Sequence, residues 1–309
     1  MRIFSVNDLN KMIADDVENF VAMSENSYTE QLKTAAEHIA EAHAEKPIIL
    51  LSGPSGSGKT TTAMRIETLL EKRHGLKCKT VSLDNYFISL TNEQLADMSK
   101  VDLEAPTRLN IPLLAAHLEK IRRCEKVIIP SFSFATQQSI DGEEFQREPD
   151  EIVIFEGIHA LNPEITGKIG DHATSVYVSV RTRLEHDGEL LHPSKIRLMR
   201  RLMRDKLFRG RAITETMSFF AHVERGEQLY IMPHKHRAQI DIDTFIPFEA
   251  SVYKRFLVPE LEKVKNSYDQ YGKYADVEKF LLLLDSVDEK LVPENSLIRE
   301  FIGGSAYSY

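Results

Sequence analysis

The sequence predicts an α/β fold: a central, mainly parallel sheet flanked by helices. Three observations carry the prediction. Short apolar runs fit for buried strands recur along the chain, at residues 48–51 and 152–155, and strands buried on both faces belong to parallel sheets. Stretches of helical periodicity separate them, as crossover connections require. The turn that leaves the first run, from Gly53 to Thr60, reads Gly-Pro-Ser-Gly-Ser-Gly-Lys-Thr and fills the template G-x-x-x-x-G-K-[ST].

In chain order, residues 1–46 read as a helical N-terminal extension. Ile13, Val17, Phe20 and Met23 mark one apolar face and Leu32, Ala35, Ile39 and Ala42 another, with polar residues 24–27 between them. Such faces are expected to pack on the core or on a neighbouring subunit of a homo-oligomer. The core is expected over 47–265. Its first strand hands the glycine-rich turn to a helix with Ala63, Ile66 and Leu70 on one side and a stop at His74-Gly75. Glycines let backbone N–H groups close around an anion, and the helix behind adds its positive end. The turn is therefore read as the phosphate cradle of a P-loop NTPase fold, with Gly53, Ser55, Gly56, Ser57, Gly58, Lys59, Thr60 and Thr61 as its phosphate-binding set. Lys59 would reach the β- and γ-phosphates, and the Thr60 hydroxyl would ligate Mg²⁺.

A second strand over 79–83 ends on Asp84. Chemistry in open α/β sheets gathers at the carboxyl ends of strands, so Asp84 is a candidate base, with a turn-capping carboxylate as the alternative. Residues 109–123 form an amphipathic helix with Ile111, Leu114, Leu118 and Ile121 on one side. Residues 127–134 then run into a β-hairpin flap that reaches back near Phe145; its Phe132 and Phe134 would either stack a flat ligand or belong to the core. The strand over 151–156 exits on Glu156, a candidate carboxylate for Mg²⁺ or its waters. A further strand covers 175–180.

Between Lys195 and Arg211 lie eight basic residues and one acid, Asp205, in a chain of net charge −8. On a helical wheel Arg197, Arg200, Arg201 and Arg204 form a stripe opposite Ile196, Met199, Leu202 and Met203. With Arg209 and Arg211 beyond, residues 192–212 read as an arginine-rich helical lid that would neutralise a transferring phosphoryl group. Helices are expected over 213–230, 250–265 and 274–287, with a last strand over 239–246. The C-terminal portion, 266–309, is read as a helix and tail packed on the core, the stretch from Pro293 lying along the surface.

Composition narrows the classes. At 309 residues with 42% hydrophobic and 28% charged content, the chain can bury a sizeable core. Its acidic balance speaks against nucleic acid or a membrane surface as partner. Two cysteines, Cys78 and Cys124, give no disulfide framework, and no apolar run has the length of a membrane span, so a cytoplasmic protein is expected.

With these features in sequence, the chain resembles the uridine kinase and phosphoribulokinase family of P-loop kinases over roughly 47–250. The segments that carry the likeness are Arg197-Leu-Met-Arg-Arg201-Leu-Met-Arg204-Asp205 with Arg209-Gly-Arg211, Ser82-Leu-Asp84-Asn-Tyr86-Phe87, and Glu156-Gly157-Ile158. The resemblance implies an ATP- and Mg²⁺-dependent phosphotransferase acting on a small-molecule hydroxyl. Asp84 would take the proton of the acceptor and touch the metal through water, while Lys59, Arg201, Arg204, Arg209 and Arg211 hold the triphosphate. Lys59, Asp84 and Arg204 are its catalytic set, and Thr60 and Glu156 its metal ligands. A pyrimidine nucleoside is the implied acceptor, touched by Tyr86, Thr107, Phe132, Phe134 and Gln137. Here the family's pattern changes: Thr107 stands where nucleoside kinases carry an Asp, and Gln137 and Ser139 replace a His and an Arg. A sugar phosphate is the alternative acceptor, and a non-catalytic nucleotide-binding protein the alternative class.

Overall fold

The computed structural model describes residues 2–308, the side chains of Ser99 and Lys168 excepted. Its first half runs β1 (Ile3–Ser5), α1 (Val6–Ala42), β2 (Ile48–Ser52), α2 (Lys59–His74), β3 (Cys78–Ser82), α3 (Asn92–Ala96), α4 (Ile111–Arg122), β4 (Val127–Ser133), β5 (Gln138–Phe145) and β6 (Ile152–Glu156). The second half adds α5 (Pro163–Thr166), β7 (Ala173–Ser179), β8 (Arg183–His186), β9 (Glu189–Leu191), α6 (Pro193–Phe208), α7 (Ile213–Gly226), β10 (Ile240–Asp243), α8 (Glu249–Val264), α9 (Ala275–Leu283) and α10 (Arg299–Ile302).

Five strands form one sheet in the order β10-β7-β2-β6-β3, every neighbouring pair parallel. Every residue of β2, β6 and β7 is buried, and β2 and β6 accordingly read as continuous rather than alternating apolar runs. One apolar cluster on the sheet gathers residues of α1, α2, α6, α7, α8 and α9; the other joins α4 to the base of the hairpin. The hairpin β4–β5 pairs Val127 with Phe145, as the alternation predicts.

Three features depart from the sequence reading. The N-terminal stretch is one 37-residue helix with a kink at Asp16 (φ −164°, ψ 90°), where the Asp16 carboxylate caps the N–H of Asn19 at 3.0 Å. The polar residues 24–27 do not interrupt it, because Ser24 returns its hydroxyl to the Phe20 carbonyl (2.8 Å) and Glu25 finds Ser296 and Arg65. The short strand β1, ahead of that helix, pairs in parallel with β8, and β9 completes a separate three-stranded sheet; runs this short give too little periodicity to read.

The third departure is the C-terminal stretch. The tail from Pro293 does not lie along the surface: Leu297, Ile298 and Phe301 are fully buried behind the glycine-rich turn. A Cβ on Gly58 would stand 2.5 Å from the Leu297 side chain. Three apolar side chains spaced over one helical turn have ample area to drive that burial, but a window of five residues is too short to show it from periodicity.

Candidate active site

Strand register builds the site. Leu51 of β2 and Ser82 of β3 both pair with Glu156 of β6, so the carboxyl ends of three strands meet side by side. From β2 the chain turns through Gly56 (φ 75°) and Gly58 (φ 81°), left-handed positions that suit glycine, into α2. A Cβ on Gly53 would come within 2.0 Å of the Val178 carbonyl oxygen, so only glycine lets the loop leave the sheet this close to β7. From β3 the chain enters a short helical turn, Leu83–Tyr86, in which the Ser82 hydroxyl accepts from the Asp84 N–H (3.3 Å), and this fixes Asp84 at the strand end.

These ends open into a cavity of about 740 Å³. Ser55, Gly56, Gly58, Lys59 and Thr60 line it on the loop side, Asp84 and Glu156 at the sheet, and Arg201, Arg204, Arg209 and Arg211 from α6 and the segment after it. Thr60 Oγ1 lies 3.3 Å from Glu156 Oε1. Burial pushes the Glu156 carboxyl up to about 7, against the pull of Lys59. Asp84 is likewise raised by burial, with Lys59, Arg204 and Arg209 opposing. A buried carboxylate beside a threonine hydroxyl, its ionisation disfavoured by burial, suits a hard divalent cation; Mg²⁺ commonly takes one or two protein oxygens and completes its shell with phosphate and water. Thr60 and Glu156 fit that role. Among the described residues no cluster of three or more His, Cys, Asp or Glu forms a metal site of its own.

The arginine stripe divides. Arg200 is fully buried; it donates to both carboxylate oxygens of Glu249 (2.7 and 2.9 Å), to the Gly56 carbonyl (3.1 Å) and to the Thr244 carbonyl (2.6 Å). Arg197 holds the Ser55 carbonyl (3.1 Å) and Glu227 (2.5 Å). Both brace the loop from behind. Arg201, whose guanidinium is lowered to about 10 by burial, donates to the Ser55 hydroxyl and faces the cavity. Arg209 (3.1 Å) and Arg211 (3.7 Å) share Asp205. The lone acid of the basic run is thus the anchor of its last two arginines.

Other expected residues fall elsewhere. Gly53 and Ser57 are in the loop but not on the cavity wall, and the Thr61 hydroxyl is turned to Glu300 at 2.6 Å. Tyr86 is buried in the core with its hydroxyl 3.1 Å from His117 Nδ1, too deep to meet an acceptor. Phe132 is 8% exposed and packs edge-on beneath Phe87 and Phe134, leaving Phe134 and Gln137 as the flap residues that line the cavity. Thr107 is exposed and off the wall; its neighbours Glu104 and Arg108 line the cavity instead. The turn Pro106–Arg108 rotates Thr107 outward, and Glu104 is seated against Gly226, where any Cβ would stand 2.4 Å from its own.

Three charged wall residues escaped the sequence reading: Glu104, Arg108 and Glu300. Glu104 lies three residues ahead of the expected position, and its carboxyl is raised to about 7 by burial despite Arg201 and Lys59. Glu300, from α10, reaches the cavity through the folded-back tail and faces Arg204 at 3.4 Å. The segment Glu104-Ala-Pro106 was a visible signal for Glu104; nothing local marks Arg108 or Glu300.

An all-parallel sheet with a glycine-rich phosphate loop at its central strand, and acids at the ends of the next two strands on one side, is a P-loop fold of the kinase type. The chain belongs to the phosphoribulokinase / uridine kinase family, whose model matches residues 48–247. It is 30% identical over 198 residues to a uridine kinase of Lactobacillus helveticus, covering 63% of this chain and 86% of that protein. It is 29% identical over 205 residues to uridine kinase-like protein 5 of Arabidopsis thaliana, covering 66% of this chain but only 40% of that longer protein. Among solved structures, the D-glycerate 3-kinase of Cryptococcus neoformans aligns over 71% of this chain and 88% of its own, at 16% identity and a TM-score of 0.44.

Proposed function

We propose that this protein is an ATP- and Mg²⁺-dependent kinase that transfers the γ-phosphoryl group to a hydroxyl of a small molecule. The observation that carries the reading is the convergence of Lys59, Asp84, Glu156 and the four arginines 201, 204, 209 and 211 on one cavity at the strand ends. Lys59 and the loop N–H groups hold the β- and γ-phosphates, and the arginines neutralise charge on the transferring group. Asp84 accepts the proton of the acceptor hydroxyl as its oxygen bonds to the γ-phosphorus; the bond from that phosphorus to the β–γ bridging oxygen breaks and ADP departs. Bound at Thr60 and Glu156, Mg²⁺ would supply charge neutralisation at the phosphates. Positioning and electrostatics, rather than covalent chemistry by the protein, supply most of the rate in such transfers.

The relatives' names favour uridine or cytidine as acceptor. A sugar phosphate is the second reading, and the side chain of Arg108 is the observation that favours it. The experiment is ADP formation from Mg·ATP across nucleosides, sugar phosphates and hydroxy acids. Stimulation by one class is the expected result; ATP binding with no acceptor-dependent ADP release would overturn the kinase reading.

A further inference from the structure

Arg108 is 8% exposed and ends the short turn Pro106–Arg108, yet it lines the same cavity as Asp84 and the flap. Its guanidinium stands over the Phe87 ring, 5.7 Å from the centroid. Each other cation of the cavity already has a polar partner: Arg204 faces Glu300, Arg209 and Arg211 face Asp205, Arg201 donates to Ser55, and Lys59 lies 3.5 Å from the Pro54 carbonyl. Among the described residues the Arg108 side chain has no carboxylate and no hydrogen-bond acceptor, and burial alone lowers its pKa. Through Phe87, whose ring also meets Phe134, it belongs to the flap side of the cavity, which Phe134 and Gln137 line.

A guanidinium partly withdrawn from water without a counter-charge is costly, and a site keeps one where a ligand brings the missing anion. Its planar set of donors matches carboxylate and phosphate oxygens in pairs. We infer that the acceptor carries an anionic group, a phosphate ester or a carboxylate, that docks on Arg108. On the kinase reading above, on which this placement of the acceptor rests, its hydroxyl then points at Asp84 and Glu104 is free to accept from a second hydroxyl. The rings of Phe87 and Phe134, 6.1 Å apart, screen the ion pair from water.

The test starts from binding. Protein saturated with Mg²⁺ and a non-hydrolysable ATP analogue, so that the donor phosphate sites are filled, is titrated with inorganic phosphate by calorimetry. Phosphate should still bind, at least about tenfold more weakly in Arg108→Met, partly recovered in Arg108→Lys, with affinity for the analogue unchanged. Equal binding to Arg108→Met, or none to the unaltered protein, overturns the inference. In turnover assays D-ribose 5-phosphate and D-glycerate distinguish the two anions, with uridine and D-ribose as neutral counterparts. An anionic acceptor should win, its KM rising in Arg108→Met while the KM for ATP holds. Uridine as the best acceptor, indifferent to Arg108→Met, refutes the anion and leaves the kinase standing; no turnover with any acceptor refutes the kinase reading, and the phosphate titration then decides for Arg108 alone.

Discussion

Thr61, at the start of α2, donates its hydroxyl to Glu300 at 2.6 Å, although the two residues are 239 positions apart. The other oxygen of that carboxylate faces Arg204. A residue outside the 48–247 family segment therefore bridges the phosphate loop's helix and the arginine helix. Glu300→Ala should cost about 2 kcal/mol, the scale of a buried hydrogen bond to a charged group, and raise the KM for ATP more than it lowers kcat, since Arg204 loses its support. Denaturant unfolding with steady-state kinetics checks both; an unchanged KM for ATP would reduce Glu300 to a purely structural link.

Loss of the proton-accepting role proposed for Asp84 should look different. Asp84→Asn keeps size and hydrogen bonding but cannot take a proton. We expect turnover to fall by about three orders of magnitude with ATP affinity nearly constant. Weakened ATP binding with turnover intact would assign Asp84 to the donor side instead.

Arg200 and Glu249, both without solvent exposure, form an ion pair behind the loop. Arg200→Met strands a buried carboxylate, and breaking such pairs costs about 3–5 kcal/mol. The double variant Arg200→Met with Glu249→Gln should recover most of that loss, measured by denaturant unfolding. Equal destabilisation of single and double variants would mean that the pair contributes through packing alone.

Glu156 links stability to pH. Its carboxyl, raised from 4.5 to about 7 by burial, favours the protonated form in the folded metal-free protein. That contribution is complete below pH 4.5 and is lost as pH rises through 7. Glu156→Gln, a neutral mimic, should match the unaltered protein in Tm near pH 5 and exceed it near pH 8 by on the order of 5 °C. A Tm difference that does not change with pH would contradict the shift. The same ionisation governs metal affinity: Mg²⁺ should bind more tightly as pH rises through 7.

The proposed acceptor wall is tested at Phe134, 59% exposed on the flap. Phe134→Ala should raise acceptor KM about tenfold with little effect on stability or on the KM for ATP, because an exposed ring has few packing partners to lose. A matching loss in Tm would return Phe134 to the hydrophobic core.

The half of the cavity proposed to hold the phosphate donor was legible because its chemistry is local. Phosphate loops need glycines at fixed spacing, a lysine and a hydroxyl within eight residues, and the acids Asp84 and Glu156 follow strands whose apolar runs announce them. The all-parallel sheet followed from the same runs. What the sequence could not determine was which side chains of a polar or basic stretch turn inward. The helical wheel put Arg197, Arg200, Arg201 and Arg204 on one stripe, and tertiary packing divided them, because Glu249 and Glu227 lie on elements far along the chain and claim two of the four. It likewise turned Thr107 out and Glu104 and Arg108 in through one short turn, sank Tyr86 against His117, and folded the last helix behind Gly58. Local spacing fixes what can bind phosphate, whereas long-range partners decide which charges are spent on the fold and which are left for a ligand.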